Sequence, residues 1–138
     1  MPDYTVSNTV APAGAGYGVN TNTTDATVTV AATRITSSNT IYYVKAKVVA
    51  VATGTFGSDV AVYERLACIK NVAGTVTLQG SVTAIATIES NAAWDCTIGV
   101  SGTSIVVNVT GAAATAVTWH VQLETISVKT YITAYGNV

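Results

Sequence analysis

Hydrophobic and polar residues alternate with a period of two along most of the chain from residue 26 onward. This spacing is typical of β-strands that bury one face and expose the other. In the run 41–53, the even positions from Tyr42 to Ala50 are apolar, whereas the odd positions include Lys45 and Lys47. The alternation is clearest in the run 116–129, where four residues share an apolar face: Val117, Trp119, Val121 and Leu123. Each strand is therefore expected to pack one face into a core.

Turn residues separate these runs at intervals of about ten residues, as in small all-β domains. The predicted strands are 26–35, 41–53, 60–71, 75–80, 82–88, 94–100, 104–110 and 116–129. No window of the sequence has a sustained helical period. The pattern predicts an all-β protein, an antiparallel two-sheet β-sandwich, with a jelly roll as one arrangement of its strands.

The chain divides into three predicted segments. Residues 1–25 are rich in Ala, Gly, Thr, Asn and Val, and such residues bury too little apolar area to hold a core of their own. Two interpretations stay open for this segment: an extended arm that becomes ordered against a neighbouring subunit, or a disordered tail. Residues 26–129 form the predicted sandwich domain, and residues 130–138 a C-terminal tail or an additional edge strand.

The composition points to an assembly. Charged residues make up 9% of the chain and hydrophobic residues 49%, and the formal net charge is −1. An average soluble domain has about 25% charged residues. A weakly charged surface of Thr, Ser, Asn and Ala lacks the repulsion that keeps monomers apart, so much of it is expected to be buried in an oligomer or a larger assembly.

The same composition argues against other partners. The six basic residues are scattered and form no stripe that could neutralise a row of phosphates, so no nucleic acid partner is predicted. The longest apolar run, Val48 to Ala52, is much shorter than a membrane span. The first residues, Met1 to Tyr4, lack the features of a signal peptide, and synthesis and folding in a cytoplasm are therefore expected.

Reactive side chains are sparse. In a reducing compartment, Cys68 and Cys96 are expected to be buried free thiols, and Cys96 shares an apolar face with Trp94, which favours an inert thiol. His120 lies on the same strand face as Gln122 and Glu124. A weak ion site at an oligomer axis is conceivable there, but an ordinary surface or interface histidine is favoured.

No catalytic constellation is predicted. The spacing of the carboxylates selects no pair for glycoside hydrolysis, and there is no Gly-x-Ser-x-Gly elbow. Trp94 and Trp119 could form a platform for stacking sugars. Both alternate in phase with aliphatic residues, however, and this favours the core. The sequence therefore predicts no catalytic, cofactor or metal site.

A series of short motifs carries a family resemblance. They occur in the long strand 43–52, the Gly-Thr-x-Thr-Leu-x-Gly hairpin 74–80, and the segments Ala93–Asp95, Val109–Gly111 and Val117–Val121. In this order and spacing, they resemble a small β-domain recurrent in tailed-bacteriophage virion proteins, over residues 25–128. The resemblance implies a trimer-forming β-sandwich with no cofactor.

The resemblance also implies the expected role. No coiled coil, collagen-like repeat or shaft precedes the domain, which favours a capsid decoration or cement protein on the virion surface. It would be made in the host cytoplasm and bind the major capsid protein as a homotrimer. A receptor- or glycan-binding tail-fibre component is the alternative, and a plain structural subunit of the tail or neck is a third. Tyrosines are candidates for subunit or capsid interfaces, since a phenol keeps its hydroxyl bonded at a wet rim: Tyr4, Tyr17, Tyr42, Tyr43, Tyr63, Tyr131 and Tyr135.

Overall fold

The computed structural model describes residues 17–130, with Tyr17 described by its backbone alone. Within this range all regular structure is β. The eight strands are β1 (Tyr17–Thr23), β2 (Thr29–Ile35), β3 (Thr40–Ala52), β4 (Val60–Val72), β5 (Thr75–Glu89), β6 (Asp95–Ser101), β7 (Ser104–Thr110) and β8 (Val117–Lys129). No helix with the length and apolar character to cross a membrane occurs in residues 17–130. The all-β prediction is confirmed.

The strands form two antiparallel sheets. The larger sheet has the order β1-β8-β3-β4-β5 and the smaller one the order β2-β7-β6. This confirms the predicted two-sheet sandwich. The β1-β8-β3 and β2-β7 neighbours follow the nested pairing of a jelly roll, whereas β3, β4 and β5 run as a meander in one sheet.

The sheet begins earlier than the predicted boundary at residue 26. Strand β1 lies inside the segment 1–25, and it pairs with β8 from Tyr17 opposite Leu123 to Thr23 opposite Val117. Thr23 is buried, and its hydroxyl accepts a hydrogen bond of 2.9 Å from the indole Nε1 of Trp119. Residues 17–23 are thus ordered by their own domain. The rest of the predicted arm lies outside the described residues.

The runs 75–80 and 82–88, predicted as two strands, form the single strand β5. Gly80 has a φ of +73°, a conformation that favours glycine. The β4–β5 pairing also shifts register between Glu64 and Arg65 and between Leu66 and Cys68. These bulges let one long edge strand continue through the predicted turn.

The core lies between the two sheets. Trp119 is 0% exposed and Trp94 is 2% exposed, which confirms both as core residues and shows that the sugar-platform interpretation is wrong. The ring of Trp119 stacks on Tyr63 at 6.3 Å between centroids and tilts against Trp94 at 5.6 Å. These three rings form the aromatic centre of the sandwich.

Two tyrosines proposed for interfaces belong to this core instead. Tyr42 is 6% exposed, and its hydroxyl accepts a hydrogen bond from the backbone N–H of Ser37 at 2.7 Å. Tyr63 is 1% exposed and donates to Glu89 at 2.6 Å. Both lie on the inward-facing side of their strands, and partners within the domain satisfy their hydroxyls. Burial and the hydrogen bond to Glu89 raise the pKa of Tyr63.

The two cysteines are free but differ in environment. Cys96 is buried in the core, as expected, whereas Cys68 is exposed, contrary to the prediction. Cys68 belongs to the outward-facing side of β4, opposite in phase to Ala67 and Ile69. Burial raises the pKa of the Cys96 thiol to about 12.

The Cys96 thiol should make the fold sensitive to alkali. Its pKa is near 9.0 when unperturbed and about 12 in the folded protein, so between these values the unfolded state binds fewer protons and stability falls as the pH rises. We expect this thiol to lower the free energy of unfolding by about 1.4 kcal/mol between pH 8 and 10. The free energy of unfolding, measured with urea, should not show this fall with pH in Cys96→Ala. It should still show the fall in Cys68→Ala. Parallel profiles for all three proteins would contradict the assignment.

A second prediction concerns the bond between β1 and the core. Thr23→Val keeps the shape of the side chain but removes the acceptor of the buried Trp119 indole N–H. We expect a loss of about 1–3 kcal/mol in the free energy of unfolding, because a buried donor then has no partner. Thr118→Val, at a half-buried site where the hydroxyl donates to Asn22, is the control and should change stability by less than about 1 kcal/mol. Equal losses in the two variants would show that the buried bond has no special weight.

Candidate assembly surface

The side of the five-stranded sheet that faces away from the smaller sheet is called here the outer face. It is formed by the odd-numbered residues of β3 and the even-numbered residues of β4 and β8. They alternate with buried residues along β3 and β4 and, in β8, as far as Leu123. Strand β5 continues it beyond β4. Side chains on this face are exposed or half-buried, and many of them are apolar.

One end of the outer face carries a depression of about 490 Å³ with apolar walls. Tyr43 lies at its centre, opposite Cys68 on β4 and Ile126 on β8. Ile126 is 61% exposed, although it is a large aliphatic residue. We name this region the Tyr43 patch, formed by Ile41, Tyr43, Leu66, Cys68, Ile126 and Val128.

The other end carries a second apolar region, the Val49 patch, formed by Val49, Val60, Val62 and Ile88. The registers place Val62 between Val49 and Ile88, in one row across β3, β4 and β5. Val49 is 50% exposed and Ile88 is 68% exposed. Two apolar patches therefore lie at opposite ends of one sheet face.

A polar band separates the patches. Lys45 and Glu64 form an ion pair of 2.6 Å between β3 and β4. The hydrogen bond between the two side chains raises the pKa of Lys45 and lowers that of Glu64, so the pair is charged at neutral pH. Glu124 lies opposite Lys45, and Lys47 lies opposite Gln122, on the β8 side of the same band. The band contains both signs of charge.

His120 lies beside the Val49 patch. Its Nδ1 is 2.6 Å from Oδ1 of Asn20, and its ring lies across Gly18, where an added Cβ would come within 2.5 Å of Nε2. Residues of this region line a depression of about 360 Å³. The described residues contain no cluster of three His, Cys, Asp or Glu side chains that could hold a metal ion. His120 is thus a surface histidine within the described part of the domain.

Four carboxylates of the described chain are engaged in separate local contacts. Asp59 accepts hydrogen bonds from Ser90 and Asn91, and Asp25 accepts one from the backbone N–H of Thr27. Glu89 and Glu64 are bonded to Tyr63 and Lys45, as described above. These contacts order loops and strand edges. Among residues 17–130, the feature best suited to bind another molecule is the outer face.

The tyrosine predictions meet this surface at one position. Tyr43 lies on the outer face, Tyr42 is in the core, and Tyr17 contributes its backbone to β1. Tyr4, Tyr131 and Tyr135 lie outside the described residues. The aliphatic members of both patches were missed, although the sequence carries a signal for them: at both ends of 41–53 the outward-facing positions are apolar as well as the inward ones.

The fold and this surface define an antiparallel β-sandwich with an exposed, largely apolar sheet face. No protein-family model matches the sequence, and a search of curated proteins finds no match. Among solved structures, the tailspike protein of Acinetobacter baumannii phage AM24 is similar with a TM-score of 0.51, at 9% identity over 83% of this chain and 26% of that chain. The tailspike protein of Acinetobacter phage vB_ApiP_P1 matches with a TM-score of 0.41, at 17% identity over 83% of this chain and 21% of that one.

The likeness to the AM24 tailspike is a likeness of fold. The chain corresponds to about a quarter of the length of that tailspike. A sandwich of this kind therefore occurs as one part of a larger phage protein.

Proposed function

We propose that this chain is a non-enzymatic structural protein of a tailed-phage virion that works as a homotrimer. The observation that carries the proposal is the outer face, where two apolar patches flank a charged band. Large exposed apolar regions on a soluble domain mark sites of protein association. The fold likeness to a phage tailspike and the sequence motifs described above support the virion context.

Capsid decoration is the role we propose first. A trimer that binds across junctions of the major capsid protein would stabilise the shell through apolar contacts, each worth about 25 cal/mol per Å² buried. Symmetry repeats these contacts over the shell. The burial of Trp94 and Trp119 favours this role over sugar binding, because it removes the aromatic platform on which glycan recognition would have rested.

A tail-fibre or tailspike component is the second candidate. The fold likeness to the AM24 tailspike favours it, since that protein contains a comparable sandwich within a longer chain. In that setting the domain would occupy a tail position and contact a receptor or glycan through loops or strand edges.

Copy number in purified virions separates the two roles. Quantitative mass spectrometry should find the chain at a number comparable with the major capsid protein if it decorates the shell, and at a small fixed number if it belongs to the tail. If the chain is not found in purified virions at all, the proposal is contradicted for both roles. A virion reconstruction then shows which proteins it contacts.

Glycan binding is a second way to distinguish the structural role from the tail-fibre role. The isolated protein, probed with host-surface polysaccharide, is expected to show neither retention nor cleavage products if its role is structural. Retention would favour the tail-fibre role, and cleavage would contradict the non-enzymatic assignment.

A further inference from the structure

We propose that copies of this chain exchange a strand: residues 4–10 of one copy pair with the free edge of β5 in another copy. The inference rests on the self-association of the proposed function, but it requires no particular number of copies. It assigns a receiving edge to the segment that the sequence predicts to be an arm. The edge lies within the described residues, and the arm lies outside them.

Strand β5 has the longest free edge among residues 17–130. It is the last strand of the larger sheet and pairs with β4 alone. It has 15 residues, whereas the other edge strands, β1, β2 and β6, have 7 each. The N–H and C=O groups that point away from β4 can bind a further extended segment. Within the described chain, β5 is therefore the edge that offers most backbone groups to a partner.

The sequence of β5 does not protect this edge against pairing. Soluble proteins commonly place charged residues or proline on exposed edge strands. Neither occurs in residues 75–88, whereas the edge strands of the smaller sheet carry Arg34 in β2 and Asp95 in β6. The pairing with β4 is regular over residues 75–79 and is interrupted only beyond them, where Gly80 has a positive φ. A regular, uncharged stretch is thus open to a partner strand.

The core-facing side of this stretch is incompletely covered. Val76 and Leu78 lie opposite the buried residues Asn71 and Ile69 of β4 and pack against the core, yet both are only half-buried. The core-facing residues of β3, in the middle of the same sheet, are buried along the whole strand. A further strand beside β5, with apolar residues on the core side, would cover Val76 and Leu78.

Residues 4–10 have the sequence that such a strand needs. Apolar residues and one asparagine alternate there with Thr and Ser, in the order Tyr4-Thr5-Val6-Ser7-Asn8-Thr9-Val10. This period of two gives an extended segment one largely apolar side, and Val, Thr and Tyr favour strands. The segment has no charge to bury against the uncharged edge. Pro12 follows it, and a proline cannot donate a hydrogen bond to continue the pairing.

The position of β1 favours the edge of another copy over the edge of the same copy. Strands β1 and β5 lie at opposite edges of the larger sheet, four strand spacings or about 19 Å apart. Residues 11–16 span roughly 20 Å only when they are fully extended straight across the sheet. Tyr17 pairs with Leu123, and the same register continued would place residue 11 opposite Lys129, the last residue of β8. In that direction, residues 4–10 pass the end of their own sheet.

Amide hydrogen exchange of the full chain, followed by NMR, tests the proposal at the receiving edge. In the monomer, the amides of residues 75–79 that point away from β4 should exchange freely. As the concentration rises and sedimentation detects association, we expect their exchange to slow about tenfold or more, because the arm of another copy then binds them. The free edges of β2 and β6 are the internal reference and should not change.

Matched substitutions in the arm show whether it is the occupant. The double variant Val6→Asp and Val10→Asp places two charges on the apolar side of the segment. The control, Thr5→Asp and Thr9→Asp, places the same charges on the other side. We expect the first variant to lose the slow exchange at residues 75–79 and to associate about tenfold or more weakly, and the control to keep both properties.

Each other outcome overturns a different part of the proposal. Slow exchange at residues 75–79 at every concentration would show that the edge is filled within one copy. Free exchange there in an associated chain would show that copies meet elsewhere, and equal effects of the two double variants would show that the arm is not the occupant. A native chain that is monomeric at every concentration would overturn the self-association itself. The virion copy number tests the virion role separately.

Discussion

Trp119→Ala is expected to lower the free energy of unfolding by about 3–5 kcal/mol, the range for truncating a large buried aromatic residue. Trp119 is 0% exposed, and its ring packs against those of Tyr63 and Trp94. The substitution leaves a cavity between the sheets and removes the hydrogen bond to Thr23. Urea and thermal unfolding followed by circular dichroism measure the loss.

The neighbouring tryptophan offers a control for this substitution. The indole N–H of Trp94 has no hydrogen-bond acceptor among the described residues. Trp94→Phe keeps most of the ring volume and removes that unpartnered donor, so it should cost less than about 1.5 kcal/mol. Unchanged unfolding of Trp119→Ala, or a loss no larger than that of Trp94→Phe, would contradict the assignment of Trp119 to the centre of the core.

Arg65→Met is expected to lower the free energy of unfolding by about 2–4 kcal/mol, because three hydrogen bonds from a buried charged group to backbone carbonyl oxygens are lost. Arg65 is 5% exposed. Its Nε donates to the carbonyl oxygen of Cys96 on β6 at 2.8 Å, and its Nη1 donates to that of Ala86 on β5 at 2.7 Å. One side chain thus connects the two sheets beside the register shift between β4 and β5.

The charge of Asp95 contributes little to this site. Its carboxylate is 3.9 Å from Nη2 of Arg65, and its side chain is 68% exposed. The guanidinium is instead held by the carbonyl oxygens and by the face of Tyr63, 5.0 Å below it. Lys47→Met, an exposed cation on β3, is the control and should change stability by less than about 0.5 kcal/mol. A loss for Arg65→Met as small as that of Lys47→Met would show that the buried guanidinium does not join the sheets.

The inward-facing side of each strand was predictable from the sequence because alternation has a fixed period. In β8 the alternate apolar residues from Val117 to Leu123 are fully buried, as the sequence pattern predicts. The opposite directions of Glu64 and Arg65 were also predictable: Glu64 pairs with Lys45 on the outer face, and Arg65 points inward. The pattern did not indicate that the arginine is enclosed, since its partners are carbonyl oxygens of distant strands.

Features that depend on pairing between distant segments escaped prediction. Strand β1 has a polar, glycine-containing sequence. It forms a strand because it pairs with the edge of β8 and because Thr23 accepts a hydrogen bond from Trp119. The exposure of Cys68 escaped prediction for the same reason. Alternation assigns residues to two faces of a strand, but it does not show whether another layer of the protein covers each face. The only sign of the outer face in the sequence was therefore the apolar residues at outward-facing positions at both ends of β3.

The proposed function rests on a homotrimer that buries the exposed apolar residues of the outer face, and the Cys68 thiol tests that proposal without any substitution. Cys68 is exposed within the Tyr43 patch, and Cys96 is buried as an internal reference. The rate at which a maleimide alkylates Cys68 should be measured by mass spectrometry as protein concentration rises through the range in which sedimentation detects the trimer. We predict that the rate constant for Cys68 falls in proportion to the trimer fraction. An equal rate constant in monomer and trimer would contradict the claim.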